Sequence, residues 1–110
     1  MKLVIAVVQD RDSQRLIDQL INQNLRSTKL ASTGGFLKAG NTTLLIGVED
    51  SQMESALGVI RETCKAREQL LTPMAPVGSS AVESYVPYPI EVVVGGATVF
   101  VVDVEQFVRF

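Results

Sequence analysis

Leu25-Arg26-Ser27-Thr28-Lys29-Leu30-Ala31-Ser32-Thr33, then Gly34-Gly35-Phe36-Leu37-Lys38-Ala39-Gly40-Asn41, then Thr42-Thr43-Leu44-Leu45-Ile46-Gly47-Val48 reads as strand, glycine-rich loop and strand. The first segment alternates in the manner of a half-exposed strand, and the last carries apolar residues on both faces. Two consecutive strands here, with a strand and helix before them and a helix and strand after, set the plan of the chain. The loop is longer than the two to five residues that a hairpin needs. It also places Phe36 and Leu37 at its tip, where the hydrophobic effect opposes exposure. Glycines allow close backbone approach, Phe36 offers a stacking face, and Asn41 can both donate and accept. That set suits a flat, hydrogen-bonding molecule such as a purine. A plain hairpin whose Phe36 and Leu37 fill a neighbour's pocket accounts for the same residues, and the loop alone leaves both readings open.

Working outward, Leu3-Val4-Ile5-Ala6-Val7-Val8 is rich in β-branched residues and apolar on both alternating faces, as in a strand covered on both sides. Asp10 to Asn24 follows with Leu16, Ile17, Leu20 and Ile21 at helical spacing, Asp10 or Asp12 as N-cap, and Asn24 as a left-handed C-terminus. Ser51-Gln52-Met53-Glu54 has the capping-box pattern, and Met53, Leu57, Ile60 and Cys64 then mark one face of a helix. Ala66 to Pro89 reads as a long connection holding all four prolines. Ile90 to Val94 and Ala97 to Val104 read as strand segments around the Gly95-Gly96 turn or bulge. The order predicts an α+β, ferredoxin-like βαββαβ sandwich, a single domain over 1–110 with a long loop before the last strand segments. Both helices should cover one sheet face. The apolar second face then calls for a closed homo-oligomer with sheets facing inward, or for the long loop to fold back over it.

Bulk properties exclude several classes. The net charge is −2, with Lys29, Lys38, Lys65 and Arg67 scattered, so no basic footprint for nucleic acid exists. Histidine is absent and Cys64 is the one cysteine, which excludes an internal disulfide, a zinc-type cluster and the usual neutral-pH base. Cys64 lies on an apolar stripe and reads as a buried, inert thiol. The Leu3–Val8 run is far too short to span a bilayer and no cleavable signal precedes it, so a reduced, cytoplasmic setting is expected.

Val7-Val8-Gln9-Asp10, Asp12-Ser13, Leu25 to Ala31, and above all Thr33-Gly34-Gly35-Phe36-Leu37 with Gly40-Asn41-Thr42-Thr43 form a distinctive set. Together these motifs resemble the PII-like cyclic di-AMP receptor family (the PstA or DarA group). Arg67-Glu68-Gln69, Tyr85-Val86-Pro87-Tyr88-Pro89 and Val94 to Val101 extend the match over nearly the whole chain. The resemblance implies a homotrimer related to the PII nitrogen regulators, binding one cyclic di-AMP in each cleft between subunits, without enzymatic activity or a cofactor. It also implies a short loop between strands two and three and a long one before the last strand, the proportions seen here.

By the same resemblance, Asn24, Arg26 and Thr28 match positions near the phosphates and one adenine. Gly35, Phe36, Leu37 and Asn41 match the loop holding an adenine, and Gly47 matches a glycine beside the ligand. Ser27 stands where alanine is expected, so its backbone is what matters. Arg109 stands where glutamine is expected, and Val77-Gly78-Ser79-Ser80 is one residue longer than the usual form. The residues' own chemistry agrees. Arg26 and Thr28 share a strand parity, and arginine gives a phosphate oxygen paired donors plus charge. Singly, each has a plainer reading: a solvated edge cation for Arg26, a β-former for Thr28, a helix C-cap for Asn24, a turn residue for Asn41, a bulge for Gly47. Tyr85 and Tyr88 read as loop anchors or partner contacts.

The expectation is a cytoplasmic signal-transduction receptor for cyclic di-AMP that passes its state to an unnamed protein partner through the Gly34–Asn41 and Ala66–Pro89 loops. A PII-like sensor of ATP or another adenine nucleotide is the alternative. A triphosphate favours several basic groups and a metal carboxylate, whereas Arg26 and Lys38 are the nearest cations. A small ferredoxin-like enzyme is the third reading, and the lack of histidine or a carboxylate pair in the glycine loop speaks against it.

Overall fold

A computed structural model describes residues 1–30, 40–71 and 89–110. Strand β1 (Lys2–Gln9) runs into helix α1 (Asp10–Asn22), followed by β2 (Ser27–Leu30) and β3 (Asn41–Val48). A 3-10 turn at Asp50–Gln52 leads into α2 (Met53–Cys64), and β4 (Arg67–Leu71), β5 (Ile90–Val94) and β6 (Ala97–Asp103) complete the order. The main sheet is four-stranded, in the order β2-β3-β1-β6, with every neighbouring pair antiparallel. This is the α+β, ferredoxin-like arrangement that the order of elements predicts, with β6 as its closing strand.

Register assigns the two sheet faces. Val4 lies opposite Ile46, Ala6 opposite Leu44, and Val8 opposite Thr42, and these side chains meet the helices. Leu16 and Leu20 of α1, Leu25 after it, and Ala56, Ile60 and Cys64 of α2 close that core. Full burial of a leucine or isoleucine contributes about 1.5–3 kcal/mol, so these few residues carry much of the fold. The other face stays partly open: Leu3, Ile5 and Leu45 are half-buried, while Phe100 is 49% and Val102 47% exposed. The expected doubly apolar strands are therefore present, with helices on one side only.

Three details differ from expectation. Helix α1 begins at Asp10 itself, with Gln9 as N-cap and no side-chain cap. Asp10 and Asp12 make tertiary contacts instead: the Asp10 carboxylate accepts the Thr42 hydroxyl, and Asp12 pairs with Arg67. The capping box is Glu49 with Gln52, not Ser51 with Glu54, because the chain enters α2 through the 3-10 turn. Gln52 Oε1 accepts the Glu49 N–H at 3.0 Å.

The third difference is larger. The connection expected from Ala66 begins as a strand, and β4 pairs antiparallel with β5 in a separate two-stranded sheet. Gly95-Gly96 is accordingly the corner at which the chain leaves this arm for the main sheet. Gly95 has φ +84, and a Cβ there would lie 2.5 Å from Arg67 Nη1 and 2.7 Å from the Lys65 carbonyl. Only glycine fits that crossing. The rest of the long connection, 72–88, lies outside the described residues.

Candidate functional site

The open sheet face and the end of α1 hold most of the expected ligand residues. Asn24 closes α1 in the left-handed region at φ 59, its N–H donating to the Ile21 carbonyl at 2.9 Å. Asparagine tolerates this conformation better than most residues. The structural role expected of Asn24 is thus real, and its side chain remains exposed. The turn delivers Arg26 to the threshold of β2, where Ser27 pairs with Ile46 and Thr28 with Leu45.

Arg26, Ser27, Thr28 and Gly47 line one cavity of ≈ 300 Å³, together with Met1, Leu3, Leu45, Val104 and Phe107. Arg26 also borders a second depression of ≈ 460 Å³ with Ile21, Asn24 and Leu25. It therefore joins the two. Among the described residues no carboxylate pairs with Arg26, and its side chain is exposed. Gly47 forms part of the floor, and a Cβ there would meet Met1 Cε at 3.3 Å. A mid-strand glycine in such a place suits close approach by another group. Ser27, of opposite parity to Thr28, is half-buried and pairs with Ile46, whose side chain lies on the helix-covered face.

Asn41 is not brought into this cavity. It opens β3 opposite Gln9, six residues before Gly47 and so about 20 Å along the strand. Its parity matches Gly47, so both belong to the open face. Gly35, Phe36 and Leu37 lie outside the described residues, as do Tyr85 and Tyr88. Met1, Leu3, Leu45, Val104 and Phe107 were not picked out from the sequence. Parity with Thr28 and Gly47 places Leu3 and Leu45 on this face, but nothing periodic in the tail marks Phe107.

A buried ion pair lies away from the cavity. Asp12 is 1% exposed and receives Arg67 Nη1 at 3.0 Å and Nη2 at 2.7 Å. Those hydrogen bonds hold its carboxyl below the ordinary carboxylate value, against burial, which raises it. Cys64 is buried beside it, and desolvation pushes its thiol up to about 11. A thiol so placed is inert, as its helical stripe suggested.

The family model for the cyclic-di-AMP receptor matches residues 1–110. This chain belongs to the cyclic-di-AMP receptor family. Among solved structures, it is similar to the crystal structure of a functionally unknown protein from Pediococcus pentosaceus ATCC 25745. Identity is 49% and the TM-score 0.79, over 99% of this chain and 96% of that one.

Proposed function

We propose that this chain is a single-domain cytoplasmic receptor that binds cyclic di-AMP in clefts between the subunits of a homotrimer and signals by rearranging its loops. Residues Asn24, Arg26, Ser27, Thr28 and Gly47 serve the phosphates and one adenine, and Gly35, Phe36, Leu37 and Asn41 serve the other. No cofactor and no catalytic residue takes part. The observation that carries the reading is Arg26 beside Thr28 and Gly47 around one cavity on the open sheet face, in a chain of this family. One cation at the cavity suits a ligand with two negative charges better than a triphosphate. The second base lies with the loop leading to Asn41, which explains why the expected residues fall at the two ends of β3.

Two variants separate the kinds of contact. Phe36→Ala should weaken cyclic di-AMP binding by roughly 1–3 kcal/mol, the usual worth of base–aromatic stacking, almost independently of salt. Arg26→Ala should lose a charge-assisted phosphate contact, so its penalty should shrink as salt rises. Calorimetry at low and high salt reads both. Unchanged ligand binding per folded site in Phe36→Ala, with the oligomer broken, would assign Phe36 to interface packing.

A further inference from the structure

The first turn of α1 is tied to two segments that the binding reading leaves unconnected. On one side it brackets Asn41. The Asp10 N–H donates to the Gly40 carbonyl at 2.9 Å, and the Asp10 carboxylate accepts the hydroxyl of Thr42. One residue thus fixes the positions immediately before and after Asn41. On the other side the same turn holds the arm formed by β4 and β5. Gln9, opposite Asn41 in the β1–β3 register, accepts the Gly95 N–H at 2.7 Å through Oε1. Asp12 takes both Nη atoms of Arg67, and Arg11 Nη1 reaches Gln69 Oε1 at 3.3 Å.

An isolated two-stranded sheet is marginal by itself. The arm's exposed apolar residues, Leu70 at 63% and Val93 at 70%, contribute little burial. Val94, at the foot of β5, is buried at 3% exposure, so the docking of the arm rests on it together with polar anchors at its base, and those anchors are the neighbours of Asp10 in sequence.

We propose that Asp10 is a positioning residue for Asn41, and that Gln9, Asp10 and Asp12 together couple ligand held at Asn41 to the β4–β5 arm. The inference rests on Asn41 being a ligand contact, as read above. A shift of the Gly40–Thr42 segment has to move Asp10, and Asp10 shares its backbone with the two residues that hold Gly95 and Arg67. Ligand that favours one placement of Asn41 then favours one state of the arm, and the coupling is reciprocal.

The test is amide hydrogen exchange in the arm strands of the full chain, with and without saturating cyclic di-AMP, with calorimetry on the same samples. In the wild type, ligand should slow arm exchange at least about fivefold, the low end of typical site-to-site coupling. Thr42→Val removes the hydroxyl with little change of shape, and Asp10→Ala removes the carboxylate at an exposed position, should the buried valine fail to fold. Either should weaken binding and abolish the ligand-dependent slowing at saturation, and Thr42→Ser should restore both. A merely structural role would raise exchange equally with and without ligand and leave the fivefold difference intact, which overturns the coupling. So would a wild type that binds cyclic di-AMP with no response in the arm. A wild type that binds none removes the receptor reading, and the coupling with it.

Discussion

At the residue scale, the most consequential contact outside the cavity is Asp12 with Arg67, because it puts a carboxylate at 1% exposure beside a cation that keeps a third of its side chain in water. The arginine's hydrogen bonds lower the pKa of Asp12 in the folded state. Such a group contributes stability that is present above the ordinary carboxylate range and lost as pH falls through the folded value. Arg67→Met removes the partner and leaves the carboxylate buried, with Arg15 Nη2 at 3.5 Å as the nearest cation. The variant should lose about 2–3 kcal/mol near neutral pH, less than a fully buried pair because Arg67 is partly hydrated. The loss should shrink at about pH 3, below the ordinary carboxylate value, where an Asp12 left without its arginine takes up a proton and no longer needs a cation. Urea unfolding at the two pH values checks this, and equal losses would show that packing of the arginine stem, not its charge, holds the site. None of this was legible in the sequence. Asp12 looked like a helix cap, and nothing local reports a partner fifty-five positions away.

The helices and the sheet strands show where periodicity is informative. Strands β1 and β3 and the two helices were readable because each buries a face, and burial writes a period of about two or 3.6 into the residue types. Arg67-Glu68-Gln69-Leu70-Leu71 has no such pattern, since β4 pairs in an exposed arm and buries little. Its partner strand begins nineteen residues beyond its end, at Ile90. Hence it read as loop. The Gly95-Gly96 pair was legible as a turn or bulge but not as a corner between two sheets, where Arg67 and Lys65 crowd Gly95. In α2 the stripe ending at Cys64 was legible, and it yields a prediction. The thiol is buried and its pKa raised to about 11, so a thiol reagent at mildly alkaline pH should label the native protein only as fast as α2 opens. Denaturant should make labelling immediate. Rapid labelling of the native protein would mean that the seam between α2 and the sheet is open.

At the scale of the whole molecule, the sheet presents one face to the helices and leaves the other, with Leu3, Ile5, Leu45, Phe100 and Val102, without a covering layer among the described residues. A contiguous apolar face of this kind marks an interface. Light scattering at micromolar concentration should give about three times the 11.9 kDa chain mass. A stable monomer that still binds ligand would take the inter-subunit cleft out of the account. The lining of the cavity was legible only in part for a related reason. Arg26, Thr28 and Gly47 share a strand face that parity reveals, whereas Phe107 reaches the same cavity from a tail with no pattern.

The most direct measurement is a calorimetric titration of the full chain with cyclic di-AMP, ATP, cyclic di-GMP and AMP under identical conditions. The cavity is lined by one arginine, a threonine and a mid-strand glycine, and on the proposed reading a single cation there suits a phosphodiester better than a triphosphate. Cyclic di-AMP should bind more tightly than the other three and saturate at one ligand per subunit. Tighter binding of ATP would contradict the account.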